Sequence, residues 1–124
     1  MRNLSTALEV ATVYYQAWTS HDMDLAMSFV ADDIVCHAPA GELRGADAFR
    51  QFMEPFSRIV TRSRLIAAFG DEAQALVMYD TASAVVADAP GAEWVAVSGG
   101  KIREMKIIFD RLPFEQARRS PAGS

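Results

Sequence analysis

The sequence predicts an α+β fold in which three helices come first and pack on one face of an antiparallel sheet. Before Ser63, apolar residues recur at three- and four-residue spacing, which is the pattern of amphipathic helices. From Ser63 onward, alternating apolar and polar residues lie between turn signals, which is typical of strands. Because helices and strands occupy separate parts of the chain, they should form separate layers.

The first helix is expected over residues 5–19. Thr6 and Glu9 have the spacing of a capping box, in which each side chain satisfies a backbone donor at the helix start. The helix carries a broad apolar stripe made of Val10, Ala11, Tyr14, Ala17 and Trp18, widened by Leu8 and Tyr15.

A short second helix and the first strand should follow. Asp22 is placed to cap the start of this helix, and Asp32–Asp33 would end it. Leu25 and Phe29 would be its contacts with the core. Residues 34–38 form the expected strand, in which side chains alternate between two faces. Ile34, Cys36 and Ala38 point one way, and Val35 and His37 point the other.

A loop and a third helix come next. Pro39, Gly41 and Gly45 mark the loop. Pro55 lies inside the helical pattern, where it removes a backbone donor and should kink or divide the helix. The apolar stripe of this helix consists of Phe49, Phe52, Met53, Phe56, Ile59 and Val60.

Four further strands are expected in the second half of the chain. Gly99–Gly100 predicts a tight hairpin between the last two, because glycine accepts positive φ angles. The last strand should place Met105, Ile107 and Phe109 on one face and Ile102 on the other. The four strands cover residues 64–69, 75–83, 93–98 and 101–110.

Length and composition indicate one domain, over residues 1–116, with a disordered tail at 117–124. The net charge of −4 is unfavourable for binding nucleic acid. A single cysteine, Cys36, cannot form an internal disulfide, which favours a reducing cytoplasm. No apolar run approaches the ~20 residues of a membrane span. We therefore expect a soluble cytoplasmic protein without membrane contact.

The order of elements and the stretch 32–52 resemble the nuclear transport factor 2-like superfamily, in particular its SnoaL-like and ketosteroid-isomerase-like members. This resemblance implies a cone-shaped, curved sheet that closes with the helices around an apolar pocket. It also implies a homodimer through the outer face of the sheet. The matching residues are Ala31-Asp32-Asp33, Val35, Pro39, Gly45, Phe49 and Phe52, with Gly100-Lys101-Ile102 before the last strand.

Ketosteroid isomerases of this superfamily use a tyrosine on the first helix, a carboxylate base on the first strand and a protonated acid on a later strand. By counting from the shared motifs, the tyrosine corresponds to Tyr14 and the acid to Glu93. The base position corresponds to Ala38, which cannot accept a proton. The resemblance therefore implies a donor and an acid but disfavours the isomerase mechanism itself.

Three residues are candidates for catalysis. His37 is a candidate base because imidazole is the side-chain group suited to proton transfer at physiological pH, although strand alternation favours a loop-capping or dimer contact instead. Asp80 lies in an apolar run and is a candidate base if it shares a pocket-facing side with Met78; otherwise it is a solvated outer residue. Tyr14 is a candidate hydrogen-bond donor, with core packing as the alternative.

The candidate substrate-binding residues are mainly apolar, as a pocket wall or a core would be. Metal binding is not expected, because His21, Cys36 and His37 offer too few convergent ligands. No cofactor motif is present either. The substrate-binding candidates are Trp18, Tyr15, Met78, Glu93, Val95, Met105, Ile107 and Phe109.

These observations favour a SnoaL-like protein with a small-molecule pocket. As an enzyme it would be a cofactor-free isomerase, cyclase, dehydratase or hydrolase acting on an apolar, carbonyl- or hydroxyl-bearing substrate. Two alternatives remain open: a non-catalytic binder of small ligands, and an interaction module that uses the sheet face to dimerise or to bind a partner.

Overall fold

A computed structural model describes residues 6–119, which form an α+β fold around a curved six-stranded sheet. The predicted fold class is confirmed. The elements in chain order are α1 (Ala7–Thr19), α2 (Met23–Met27), β1 (Val30–Ala38), β2 (Gly41–Arg44), α3 (Ala46–Ile59), β3 (Val60–Gly70), β4 (Gln74–Ser83), β5 (Ala89–Ser98), β6 (Lys101–Phe109) and α4 (Leu112–Arg119).

The sheet has the strand order β2-β1-β6-β5-β4-β3 and remains open between its two edges. Its neighbours are antiparallel except for β1 and β6, which are parallel. The expectation of a purely antiparallel sheet was therefore wrong for one strand pair. The reason is that α3 carries the chain from one edge of the sheet to the other, and the β3–β6 meander then returns to β1.

The N-terminal helices begin where their capping residues predicted. Thr6 Oγ1 accepts from the Glu9 backbone at 3.2 Å and Glu9 Oε1 accepts from the Thr6 backbone at 3.4 Å, which confirms the capping box. Asp22 caps α2 through the Leu25 amide at 3.1 Å. However, Leu25 is 44% exposed, so its predicted core contact was wrong. The short helix instead buries Met23 and Ala26.

The region between α2 and α3 is more extended than predicted. β1 begins at Val30, so Asp32–Asp33 lies within the strand rather than ending a helix. The predicted loop contains β2, which forms a hairpin with β1. Although Pro55 lies inside α3, the helix is continuous from Ala46 to Ile59, so Pro55 does not divide it.

One face of the sheet is buried, and strand alternation decides which residues it holds. In β4, Ala75, Val77 and Tyr79 point into this inner face. In β6, the register against β5 shifts between Ile102 and Glu104. This irregularity brings Ile102 into the core although simple alternation placed it on the face opposite Met105.

Helix α4 follows the last strand, where no helix was predicted. The Phe114 ring packs edge-on against Phe109 and Phe56, with ring centroids 5.6 and 6.0 Å apart. The helix extends through residues 117–119, which were expected to be disordered, whereas 120–124 lie outside the described residues. Across residues 6–119, no helix is long and apolar enough to cross a membrane.

Candidate active site

A cavity of about 530 Å³ lies between the inner face of the sheet, α3 and α4. Its volume falls within the range of roughly 300–1,000 Å³ that is usual for small-molecule sites. The partly or fully exposed side chains of Arg111, Glu115 and Arg118 border its opening to solvent, which we call the cavity mouth. The apolar wall consists mainly of Phe52, Met53, Phe56 and Ile59 of α3 and Ile107 and Phe109 of β6.

Glu93 is the acidic group in the depth of this cavity. Only 2% of its surface is exposed, and it is paired in register with Val77 of β4 and Ile107 of β6. Since paired residues share a face of the sheet, the carboxyl group must point into the interior with these two side chains. Strand β5 therefore places a lone carboxyl group against an otherwise apolar wall.

The environment of Glu93 changes its proton affinity. Burial raises the pKa of this carboxyl from its ordinary value of 4.5 to about 7, because the charged form loses its hydration. A hydrogen bond from the Tyr79 hydroxyl, 2.9 Å from Glu93 Oε1, opposes part of this rise. Both protonation states of Glu93 are therefore populated near neutral pH, as a group that both accepts and donates protons requires.

Tyr79 is held firmly as a hydrogen-bond donor. Burial and the nearby Glu93 charge raise the pKa of Tyr79 well above its usual value, so the phenol keeps its proton. Its ring packs 5.4 Å from the rings of Tyr15 and Trp18, measured between centroids. These contacts fix the phenol so that its hydroxyl meets the Glu93 carboxyl.

A glycine makes room for the Tyr79 ring. Gly91 is directly opposite Tyr79 in the β4–β5 pairing. A Cβ atom at this position would lie only 3.0–3.2 Å from ring and hydroxyl atoms of Tyr79. The absence of a side chain at Gly91 therefore leaves room for the Tyr79 ring, whose hydroxyl reaches Glu93.

The three predicted aromatic residues of α1 lie in the core and do not border the cavity. Tyr14 is completely buried, and its hydroxyl has no hydrogen-bond partner within residues 6–119. Burial, with smaller effects from Glu93 and Cys36, raises the pKa of Tyr14 well above its usual value. Trp18 is also fully buried, and Tyr15 packs edge-on against it. They form a layer behind Tyr79 rather than cavity wall.

The structure does not bring His37 and Asp80 to the cavity. His37 Nε2 lies 2.9 Å from Glu104 Oε2 on the outer face of the sheet. Asp80 pairs with Arg64 at 3.2 Å on the same face. Strand alternation is the cause in both cases, because the neighbours Cys36 and Tyr79 take the inward positions. Both side chains therefore lie on the opposite face of the sheet from the Glu93 carboxyl.

The remaining substrate-binding candidates divide into three groups. Glu93, Ile107 and Phe109 border the cavity. Val95 and Met105 are buried in the core beside it. The expectation that Met78 lines the pocket was wrong: it is 46% exposed on the outer face, two residues from Asp80 and therefore on the same side of β4.

Several cavity residues were missed by sequence reasoning. The α3 stripe was predicted as core, and sequence alone does not distinguish a core from a cavity wall. Tyr79 carried a usable signal, because it alternates with Ala75 and Val77 in β4. Phe114 and Arg118 carried no such signal in the sequence, because α4 was not predicted.

Other chemistries find no support in the described residues. Between residues 6 and 119 there is no group of three His, Cys, Asp or Glu side chains placed to hold a metal ion. Cys36 is buried, and this burial raises the pKa of its thiol to about 12. It is therefore not activated as a nucleophile at neutral pH.

An α+β cone with an inner-face cavity defines the nuclear transport factor 2-like class of folds, and solved structures support this assignment. A protein of this class from Cytophaga hutchinsonii superimposes with a TM-score of 0.75 at 14% identity, over 93% of this chain and 99% of that one. A protein from Sinorhizobium meliloti, provisionally assigned as a polyketide cyclase, gives 0.70 at 16% identity, over 81% and 94%. At these identities the likeness shows the fold alone.

Within this class, the chain belongs to the SnoaL-like domain family, whose model matches residues 11–105. A protein of known structure from Kribbella flavida is much more similar, with 56% identity and a TM-score of 0.89 over 93% of this chain and 95% of that one. No curated protein matches the chain.

Proposed function

We propose that the protein is a cofactor-independent enzyme that moves a proton within an apolar, carbonyl- or hydroxyl-bearing small molecule held in the cavity. The observation that carries this proposal is the buried Glu93 carboxyl, which borders an apolar cavity and has a pKa of about 7. A carboxyl group with this proton affinity is suited to act as a general base and then as a general acid at neutral pH.

One carboxyl group is sufficient for this chemistry. As the carboxylate, Glu93 takes a proton from the carbon next to a carbonyl and becomes the neutral acid. As the acid, it returns the proton to another atom of the same molecule, which regenerates the carboxylate. Tyr79 holds the Glu93 oxygen at 2.9 Å throughout and so fixes the direction of the carboxyl group.

The apolar wall contributes by excluding water. Contact with Phe52, Phe56 and Phe109 favours an apolar substrate, because binding removes apolar surface of both the substrate and the wall from water. The desolvated surroundings also keep the Glu93 pKa high. The same wall therefore selects the substrate and prepares the catalytic group. The provisional cyclase assignment of the Sinorhizobium meliloti protein is consistent with a carbonyl-bearing substrate here.

Deuterium exchange tests this function directly. A panel of apolar ketones is incubated with the protein in D₂O, and loss of the proton next to the carbonyl is followed by ¹H NMR. The wild type should accelerate exchange, and Glu93→Gln should reduce the rate by roughly 10²–10⁴-fold, as expected for loss of a general base. Because the carboxylate is the base, the wild-type rate should rise with pH through about 7.

Glu72→Gln is the matched control, because Glu72 is an exposed residue of the turn between β3 and β4. This variant loses the same charge and should exchange at the wild-type rate. Exchange that persists in Glu93→Gln would contradict the assigned role. If ketones bind but do not exchange, the non-catalytic binding function is the better description.

The outer face of the sheet favours a second, compatible role as a homodimer interface. Four large apolar side chains of this region, Phe69, Leu76, Met78 and Ile108, are 46–71% exposed. Phe69 and Leu76 are directly opposite in the β3–β4 pairing, so they form a continuous patch. Exposed apolar patches of this kind mark association surfaces. A second copy of the chain would present the same patch and bury both.

A further inference from the structure

The cavity mouth carries an excess of positive charge. Three charged residues border it: Arg111, Glu115 and Arg118. Arg111 and Glu115 neutralise one another through an ion pair of 3.1 Å. Arg118 has no carboxylate within ion-pair distance in residues 6–119, so one positive charge remains at the mouth of a protein whose net charge is −4.

Helix α4 holds this arginine at the mouth. Phe114 anchors the helix by packing on Phe109 of β6 and Phe56 of α3. Arg118 lies four residues after Phe114, which is one helical turn, so both side chains lie on the cavity side of α4. Arg119, the next residue, does not border the cavity.

The cavity interior offers no comparable place for a negative charge. Its wall is mainly apolar, and its most buried acidic group is the Glu93 carboxyl, which would repel an anion once ionised. Transfer of an ionised carboxylate from water into such surroundings is strongly unfavourable unless it is paired. A ligand with an acidic group at one end would therefore bind with that end at the mouth and its uncharged end toward Glu93.

We propose that the natural ligand is an apolar keto or hydroxy acid, whose carboxylate pairs with Arg118 while its carbonyl or hydroxyl end approaches Glu93. This inference rests on the proposed function, because it assigns a direction and a class to the substrate of the same cavity. Arg118 acts here as a specificity-determining residue and takes no part in the proton transfer.

A structural explanation for Arg118 also exists. Cations in the last turn of a helix interact favourably with its macrodipole, and both Arg118 and Arg119 are in the last turn of α4. The two residues thus share the structural role, but only Arg118 borders the cavity. Comparing substitutions at the two positions separates ligand recognition from helix stabilisation.

A pair of fluorescent probes tests the inference. 4-(1-Pyrenyl)butanoate and 4-(1-pyrenyl)butan-1-ol share the same aromatic body, and only the first carries a charge at pH 7.5. Pyrene emission gives the dissociation constant of each. The wild type should bind the acid up to about fivefold more tightly than the alcohol, which is the strength of an exposed ion pair. Arg118→Gln should reduce this preference below about twofold, while Arg119→Gln and Arg118→Lys retain it.

The alcohol also reports whether each variant keeps an intact cavity, because its affinity should not change in Arg118→Gln. The inference is overturned if the wild type shows no preference for the acid, or if the preference survives in Arg118→Gln. In either case binding of the alcohol still supports the cavity as a ligand site. Failure of both probes to bind would contradict the proposed function as well as the inference.

Discussion

Replacing Glu93 should change how the stability of the protein depends on pH. The folded-state pKa of about 7 lies above the ordinary value of 4.5, which applies when the chain is unfolded. The folded protein therefore binds the Glu93 proton more strongly. The stabilisation that results from this stronger proton binding is fully present below pH 4.5 and is lost as the pH rises through 7.

The size of the effect follows from the difference between the two pKa values. A difference of 7 − 4.5 = 2.5 units, at about 1.4 kcal/mol per unit, corresponds to about 3 kcal/mol of unfolding free energy. In Glu93→Gln this dependence is absent, because the amide stays neutral, while its carbonyl oxygen can still accept from Tyr79. The stability of the wild type relative to the variant should therefore fall by about 3 kcal/mol between pH 4.5 and a pH above 7.

Urea denaturation at half-unit pH intervals measures this difference. The free energies of unfolding of wild type and Glu93→Gln should diverge with pH, whereas Glu72→Gln controls for the loss of one surface charge. Curves for wild type and Glu93→Gln that stay parallel from pH 4.5 to 8 would refute the conclusion that Glu93 is buried with a raised pKa.

Three further predictions concern packing, capping and association. Gly91→Ala should destabilise the fold by about 1–3 kcal/mol in urea denaturation, since the added Cβ would crowd the Tyr79 ring; wild-type stability would contradict this tight packing. Thr6→Ala should lower the unfolding free energy by about 1 kcal/mol, whereas Thr6→Ser should preserve the cap. An equal loss of stability in both variants would disprove the capping role. Leu76→Glu should convert the proposed homodimer into a monomer in sedimentation velocity, and a wild type that is already monomeric at micromolar concentration would rule out the outer-face dimer.

Much of the fold could be predicted because its signals are local. The capping box of Thr6 and Glu9 depends only on residues three apart, and the hairpin at Gly99–Gly100 depends on two glycines with positive φ angles. Both were confirmed. The parallel pairing of β1 with β6 depends on how distant segments return to one another, and nothing local in β1 specifies its partner.

The site was harder to predict because it depends on which face of a strand each residue occupies. The expectation that Met78 faces the cavity was wrong by one residue, and a one-residue error exchanges the two faces; Asp80 shares the outer face of Met78, in agreement with the solvated alternative. Glu93 was found through the family resemblance, as a weak candidate acid. Glu93 becomes a strong candidate only because its side chain is buried. That burial depends on the packing of Tyr79 and β6 and not on the sequence neighbours of Glu93.

Helix α4 has a consequence for how the protein could diverge from its relatives. The match to the family model ends at residue 105, so α4 lies beyond the segment that this model covers, whereas Tyr79 and Glu93 lie within it. In the functions proposed above, pairing with an acidic end of the ligand and proton transfer therefore belong to different segments of the chain, although the apolar wall is shared. Exchange of residues 110–119 between homologues should alter the preference for charged ligands and leave Glu93, the proposed base, unchanged, which makes this short segment a natural target for redesigning selectivity.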